Sequence, residues 1–238
     1  MATADLPRLR SLHSEDDVPR LVREMGLEVP RPVLVLVGGA GGLTDPDVDR
    51  LTDYLCAYVL PSIDRVGAAV VDGGTDSGVM RAIGRARRDS AQSFPLVGVV
   101  AEGVLSEDMG RRDQVVLEPH HTDLVVVPGR SWGDEVPWLG RIAAAVAKTR
   151  ASVTLLVNGG EIAYHDMEES LRRDRPVVVL GGSGRTADDV AAAAVDTGTA
   201  SAAARQIAAS PLTVVVPYRS GPRVREVLDI VLGPAIIA

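Results

Sequence analysis

The chain has 238 residues and a formal net charge of −7; 46% of its residues are apolar but only 3% are aromatic. The negative charge and the lack of interleaved basic and aromatic residues argue against a nucleic-acid-binding surface. The core must be built from Val, Leu, Ile and Ala in a chain with 24 glycines, which is typical of a parallel sheet covered by helices on both faces.

Cysteine content and hydropathy indicate the cellular compartment of the protein. Cys56 is the single cysteine, so the chain cannot form an internal disulfide, and this suits the cytosol. The N-terminal residues lack the apolar run of a signal peptide, and no apolar run reaches the about 18 to 20 residues that span a bilayer. We therefore expect a cytoplasmic protein without membrane insertion.

The order of apolar patterns predicts the fold. Residues 1–30 are expected to form a helical arm, with a helix over 16–25, and residues 31–238 a single domain. In that domain, β-branched runs alternate with segments whose apolar residues recur at helical spacing. This alternation predicts a Rossmann-like, doubly wound α/β fold with a mostly parallel sheet of about seven strands and helices on both faces. The predicted strands are 33–37, 68–71, 96–100, 124–127, 153–157, 177–180 and 213–216.

Most of these strands run directly into glycine-rich loops. The loops are 38–42, 72–78, 128–135, 158–161 and 181–185. In a parallel sheet they emerge at the carboxyl edge, where open α/β folds bind ligands. Glycine lets the backbone approach a ligand and present its N–H groups, and each following helix adds a positive dipole end. A tight turn explains any single loop equally well, but five loops at one edge predict an anion-binding crevice.

Two common nucleotide motifs do not account for the chain. No G-K-[ST] string surrounds Lys148, the only lysine, which excludes a P-loop phosphotransferase. Residues 182–187, GSGRTA, fit the dinucleotide spacing, but the acidic residue expected about 20 positions later is absent, which argues against an NAD-dependent dehydrogenase. Ser183 and Arg185 instead add a hydroxyl and a guanidinium to the predicted crevice.

Other polar residues have ordinary explanations beside functional ones. The segment 73–80, GGTDSGVM, offers hydroxyl and carboxylate groups for a helix cap, for ligand contacts, or for both. His120 and His121 precede strand 124–127, which places them at the edge opposite the glycine loops. Adjacent histidines cannot easily turn onto one ion, so we predict no metal site.

These motifs resemble those of a known family. The segments 73–80 and 117–129, and the paired glycine loops of 153–188, are similar to the N-terminal cytoplasmic region of melastatin-type TRP channels and to its stand-alone prokaryotic relatives. This is the LSDAT branch of the SLOG superfamily, which also holds LOG-type (lysine-decarboxylase-like) nucleotide phosphoribohydrolases and DprA. The similarity extends over roughly residues 30–216 and covers nearly the whole predicted sheet.

The resemblance implies a Rossmann-like domain that binds a nucleotide-derived ligand of the ADP-ribose, NAD or cyclic-nucleotide kind. In some of the channels this region is an ADP-ribose sensor. No metal or fixed cofactor is implied. Carried over by position, the implied ligand contacts are Gly39, Gly41, Gly42, Gly73, Gly74, Thr75, Ser77, Gly129, Arg130, Gly159, Gly160, Gly181, Gly182, Ser183, Gly184 and Arg185.

The preferred hypothesis is therefore a cytosolic sensor without a catalytic group. The pyrophosphate of its ligand would lie over the N–H groups of loops 73–77 and 181–185, and Arg185 and Arg130 would neutralise its charge.

The alternative is an enzyme that hydrolyses an N-glycosidic bond of a nucleotide, with Glu135 as its acid–base or oxocarbenium-stabilising residue. The segment 128–135, PGRSWGDE, is one residue shorter than the phosphoribohydrolase signature P-G-G-x-G-T-x-x-E and has Arg130 at the second glycine, which argues against this activity. A third hypothesis is a role in assembly. We expect a homo-oligomer, for which the apolar segment 227–238 is a candidate interface.

Overall fold

A computed structural model describes residues 6–39, 41–105, 115–196 and 198–233. The strands are β1 Arg8–Ser11, β2 Val33–Gly38, β3 Ala69–Asp72, β4 Leu96–Ala101, β5 Asp123–Val127, β6 Ser152–Val157, β7 Val177–Gly181 and β8 Thr213–Pro217. The helices are α1 Val18–Glu24, α2 Asp45–Tyr58, α3 Leu60–Val66, α4 Gly78–Asp89, α5 Val136–Ala147, α6 Glu161–Arg172, α7 Arg185–Val195, α8 Ala202–Ala208 and α9 Gly221–Val231.

All strands of the described residues pair in parallel in one sheet, with helices on both faces, which confirms the predicted Rossmann-like α/β fold. Each of the seven predicted strands is present to within one residue at either end. One further strand, β1, was not predicted, because its sequence RLRS lacks a β-branched run. It is held at the sheet edge because Arg8 and Arg10 both donate to the buried Asp123 carboxylate, at 2.7 and 2.6 Å. The N-terminal arm thus contains a strand besides its helix α1.

The strand order is β1-β5-β4-β3-β2-β6-β7-β8. From β2 the chain builds outward through β3 and β4 to β5, then returns to place β6 on the other side of β2 and continues outward to β8. The order therefore reverses between β2 and β6, which pair from Val33↔Ser152 to Gly38↔Val157. In open α/β sheets the loops diverge at such a switch point and leave a crevice at the carboxyl edge.

Two aliphatic layers cover the sheet, as its alternating side chains require. Val33, Val35 and Val37 of β2 face the layer that holds α1, α5, α6, α7 and α8, whereas Leu34 and Leu36 face α2, α3, α4 and α9. Along the described residues, no helix combines the length and apolarity needed to cross a membrane. The predicted interface segment 227–238 is described as far as residue 233; residues 234–238 lie outside the described residues.

Candidate functional site

A cavity of about 310 Å³ opens at the carboxyl edge of the sheet beside the switch point. Its walls come from separate parts of the chain: the end of β2, the loop after β3, the loop before α5 and the first turn of α6. The apolar wall residues are Leu36, Val37, Met80, Trp132, Leu139, Ile162 and Ala163. The cavity thus combines a mostly apolar lining with a few polar groups, as small-molecule sites do.

The cavity brings together some of the predicted ligand contacts. Those that line it are Gly39, Gly41, Gly73, Thr75, Gly160 and Arg185, and Glu135 of the alternative function lines it too. The predicted contacts outside its lining are Gly42, Gly74, Ser77, Gly129, Arg130, Gly159, Gly181, Gly182, Ser183 and Gly184.

Among the described residues that line the cavity, Arg185 is the one with a cationic side chain, and it lies across the rim. Its Nη1 donates to the carbonyl oxygen of Gly41 at 2.9 Å. A Cβ on residue 39 would lie 3.1 Å from Nη1, and one on residue 160 would lie 3.2 Å from Nη2, so glycine at these positions makes room for the guanidinium. Arg185 also has a φ of +49°, a left-handed conformation that side chains other than glycine rarely adopt. Strain of this kind is concentrated at functional sites.

Asn158 connects the loop after β6 to the loop after β7. Its backbone N–H donates to Ser183 Oγ at 2.8 Å, and its Nδ2 donates to the Ser183 carbonyl oxygen at 3.0 Å. Ser183 Oγ in turn donates to the carbonyl oxygen of Leu180 at 2.6 Å. The Ser183 hydroxyl therefore fixes the turn that carries Arg185.

Several backbone N–H groups of the glycine loops already donate hydrogen bonds to carboxylates of the protein itself. Asp188 Oδ1 accepts from the N–H groups of Gly182 and Gly184, at 2.6 and 3.1 Å. Asp134 accepts from the N–H groups of Arg130 and Ser131, which lower the pKa of its carboxyl. An anion at the cavity would instead meet the first turn of α6, residues 160–163, where the positive end of that helix forms part of the wall.

Several glycines outside the lining allow close backbone packing. A Cβ on residue 74 would lie 3.0 Å from Gly98 Cα in β4, and one on residue 181 would lie 2.8 Å from Ala191 Cβ in α7. Gly129 lies against Ala101 and Asp134, and its carbonyl oxygen accepts from the N–H of Gly103 at 2.9 Å. These loops require glycine whether or not a ligand binds.

Two acidic side chains reach the interior of the cavity. Glu135 precedes α5, is 9% exposed, and accepts from the Gly133 N–H at 2.9 Å; burial raises the pKa of its carboxyl. Asp166 projects from α6, where burial, with added repulsion from Glu135 and Glu169, raises its pKa to about 8. The sequence pattern did not single out Asp166, although its i+4 spacing from Ile162 places both residues on one face of the helix.

His121, the second of the two adjacent histidines, does not lie where the sequence predicted. His121 is buried, and its Nε2 and Nδ1 bond Asp72 Oδ1 and Glu118 Oε2, each at 2.8 Å. The expected position at the edge opposite the glycine loops is wrong for His121, because β3 ends early. Asp72 pairs with Gly98, which pairs with Leu124, so the end of β3 is level with the start of β5.

This buried cluster of Asp72, Glu118 and His121 supports a glycine loop. Asp72 Oδ1 also accepts from the N–H of Gly74 at 2.8 Å, and so fixes the loop that contributes Gly73 and Thr75 to the cavity. Burial alone would lower the pKa of His121, but the charge and hydrogen bond of Asp72, with those of Glu118, raise it to about 9. No group of metal-binding side chains suited to an ion occurs within the described ranges.

Comparison with known proteins identifies the family. The model of the family described as "SLOG in TRPM, prokaryote" matches residues 31–225, most of the chain. The chain belongs to this family. The resemblance to the LSDAT branch of SLOG proteins is confirmed, and at the level of the family the chain is a domain of the ligand-binding or sensor kind.

Curated relatives of this SLOG domain include cation channels. Over 227 residues it is 24% identical to transient receptor potential cation channel subfamily M member-like 2 of Nematostella vectensis, an alignment that covers 77% of the SLOG chain. It is also 24% identical, over 210 residues and 72% of its length, to subfamily M member 2 of Mus musculus and of Rattus norvegicus. The SLOG chain spans 14% of the length of each of these channels.

Proposed function

We propose that this SLOG domain is a sensor that binds a nucleotide-derived ligand, of the ADP-ribose, NAD or cyclic-nucleotide kind, in the cavity at the carboxyl end of β2. The observation that carries the proposal is the position of Arg185. Its guanidinium crosses Gly39, Gly41 and Gly160 at the topological switch point, where nucleotide phosphates bind in open α/β folds. Such a sensor would act in the cytoplasm as a homo-oligomer.

The distribution of charge supports one orientation of the ligand. Arg185 and the first turn of α6 are at the rim and favour a phosphate group there. Met80, Leu139 and Ile162 offer apolar contacts to a base and sugar further inside. Trp132 is 40% exposed at the cavity and is placed to stack on an aromatic ring. The volume is at the lower end for ligand pockets, which favours enclosure of one nucleotide unit.

Removal of the Arg185 side chain tests the proposal. We expect Arg185→Gly to weaken binding of ADP-ribose, NAD, AMP or cyclic AMP by about 10- to 150-fold, because a charge-assisted hydrogen bond contributes about 1.5–3 kcal/mol. Glycine also adopts the positive φ of this position without strain. Isothermal titration calorimetry measures the affinities. The matched control is Arg150→Gly, an exposed arginine before β6 at the opposite edge of the sheet, which should bind normally. Equal affinities of wild type and Arg185→Gly would contradict the proposal.

Hydrolysis of a nucleotide N-glycosidic bond is the second candidate. It is favoured by Glu135, a buried carboxyl with a raised pKa at the cavity, which is what a general acid–base residue needs. Incubation with AMP, NAD and ADP-ribose, followed by chromatography, separates the two functions. Release of base and sugar phosphate that disappears in Glu135→Gln supports the enzyme, whereas binding without turnover supports the sensor.

A further inference from the structure

Two side chains near Asp166 on α6 are paired within the described part of the protein, but the Asp166 carboxyl is not. Glu169 is paired with Arg172 and Arg173, and Tyr164 donates to Asp189 at 2.6 Å. The Asp166 carboxyl lines the cavity, and no described residue supplies it with a hydrogen bond or an ion pair. A partly buried carboxyl without a partner in the protein is available to a ligand.

The surroundings of Asp166 are acidic. Glu135 faces it from the start of α5, and Glu169, held by its two arginines, lies on α6 itself. The neighbouring strands β2, β6 and β7 carry no titratable side chain. At the cavity rim, α7 contributes Arg185, which is bonded to Gly41, and α6 contributes the exposed Glu161. Two carboxyl groups without a cation between them are most stable when they hold one proton.

We propose, resting on the proposed function, that Asp166 is the specificity-determining residue of the cavity and that it acts together with Glu135 as a pair of carboxyl groups sharing one proton. One carboxyl then donates a hydrogen bond and the other accepts one. This pair is complementary to a planar group that presents a hydrogen-bond acceptor next to an N–H donor. Adenine has such an edge in its ring nitrogen and amino group, and nicotinamide has one in its carboxamide.

The raised pKa of Asp166, about 8, makes recognition depend on pH. Below this value the carboxyl is neutral and donates; as pH rises through it, the carboxyl ionises and repels Glu135 and any acceptor. We expect affinity for the planar group to fall as pH rises from about 7 to 9, a range in which a phosphate monoester keeps a nearly constant charge.

Calorimetry with three small probes tests this inference. AMP and nicotinamide mononucleotide carry the two candidate edges, and ribose 5-phosphate carries neither. At about pH 7 we expect AMP, nicotinamide mononucleotide or both to bind at least tenfold more tightly than ribose 5-phosphate, and the stronger of the two identifies the edge. The emission of Trp132 gives a second measurement in a Trp138→Phe protein, where it is the only tryptophan.

Two variants separate recognition from structural support. Asp166→Asn keeps a donor and an acceptor, so it should retain the preference and lose the pH dependence. Asp166→Ala should lose the preference at every pH. Arg185→Gly should weaken all three probes and keep their order. If all three bind the wild type equally, or if Asp166→Asn keeps the full pH dependence, the inference is wrong while the proposed function stands. If none of them binds, the inference is wrong; the proposed function fails as well if ADP-ribose, NAD and cyclic AMP also do not bind.

Discussion

Replacing His121 with asparagine should lower the free energy of unfolding by about 3–5 kcal/mol, because it leaves two buried carboxylates without their shared cationic partner. Asp72 and Glu118 each lie 2.8 Å from an imidazole nitrogen and are at most 1% exposed. Asparagine is too short to reach both. Urea denaturation followed by circular dichroism at neutral pH measures the change. His13→Asn, at an exposed histidine of the N-terminal arm, is the matched control and should be nearly neutral.

The same cluster predicts a pH dependence with a defined sign. The pKa of His121 is raised from 6.5 to about 9 in the folded protein, so its stabilising effect is complete below about 6.5 and is lost as pH rises through 9. Hydrogen bonds from His121 and His120 overcome the effect of burial on Glu118 and lower its pKa, so its contribution is lost under acid conditions. The wild type should therefore lose stability between about pH 7 and 9, and His121→Asn should lose less over this range. Parallel pH profiles of the two proteins would contradict the assignment.

Gly84→Ala should destabilise the protein by about 2–4 kcal/mol, although alanine favours a helix interior over glycine by about 1 kcal/mol. A Cβ on residue 84 of α4 would overlap the Glu118 carboxylate. That carboxylate cannot move aside, because it accepts from His120 Nδ1 at 2.5 Å, from the His120 N–H at 2.8 Å and from His121 Nδ1. Overpacking therefore also disturbs the buried ion cluster.

A double-mutant cycle isolates this cause. In a Glu118→Ala background the space above residue 84 is free, and Gly84→Ala should then be neutral or stabilising by up to about 1 kcal/mol. Chemical denaturation of the four proteins gives the coupling energy. If Gly84→Ala costs the same in both backgrounds, contact with Glu118 is not the reason for glycine at this position.

The fold could be predicted because each of seven strands is a local β-branched run ahead of a turn. The strand β1 could not, since RLRS forms a strand through the distant carboxylate of Asp123. His121 was assigned to the wrong edge for a related reason: the stagger between β3 and β5 is a property of the sheet, and no local pattern encodes it.

The site could be predicted only as a set of loops. Glycines at positions 39 and 160 make room for Arg185, while those at 74 and 181 allow backbones to pack closely, and both kinds have the same appearance in sequence. In the sequence, Asp166 lies within a helix and outside the glycine loops, although it lines the same cavity. Its role depends on what faces it across the cavity, which only the packing of α5 against α6 determines.

The acidic side chains that hold the glycine turns have a kinetic consequence. Asp72 and Asp188 already hold the backbone of these turns in one conformation. The backbone therefore loses little conformational entropy when a ligand binds. Association should then proceed in a single fast phase whose observed rate constant rises linearly with ligand concentration, as for a rigid binding site. Differences in affinity among ligands would consequently arise mainly from differences in their dissociation rates.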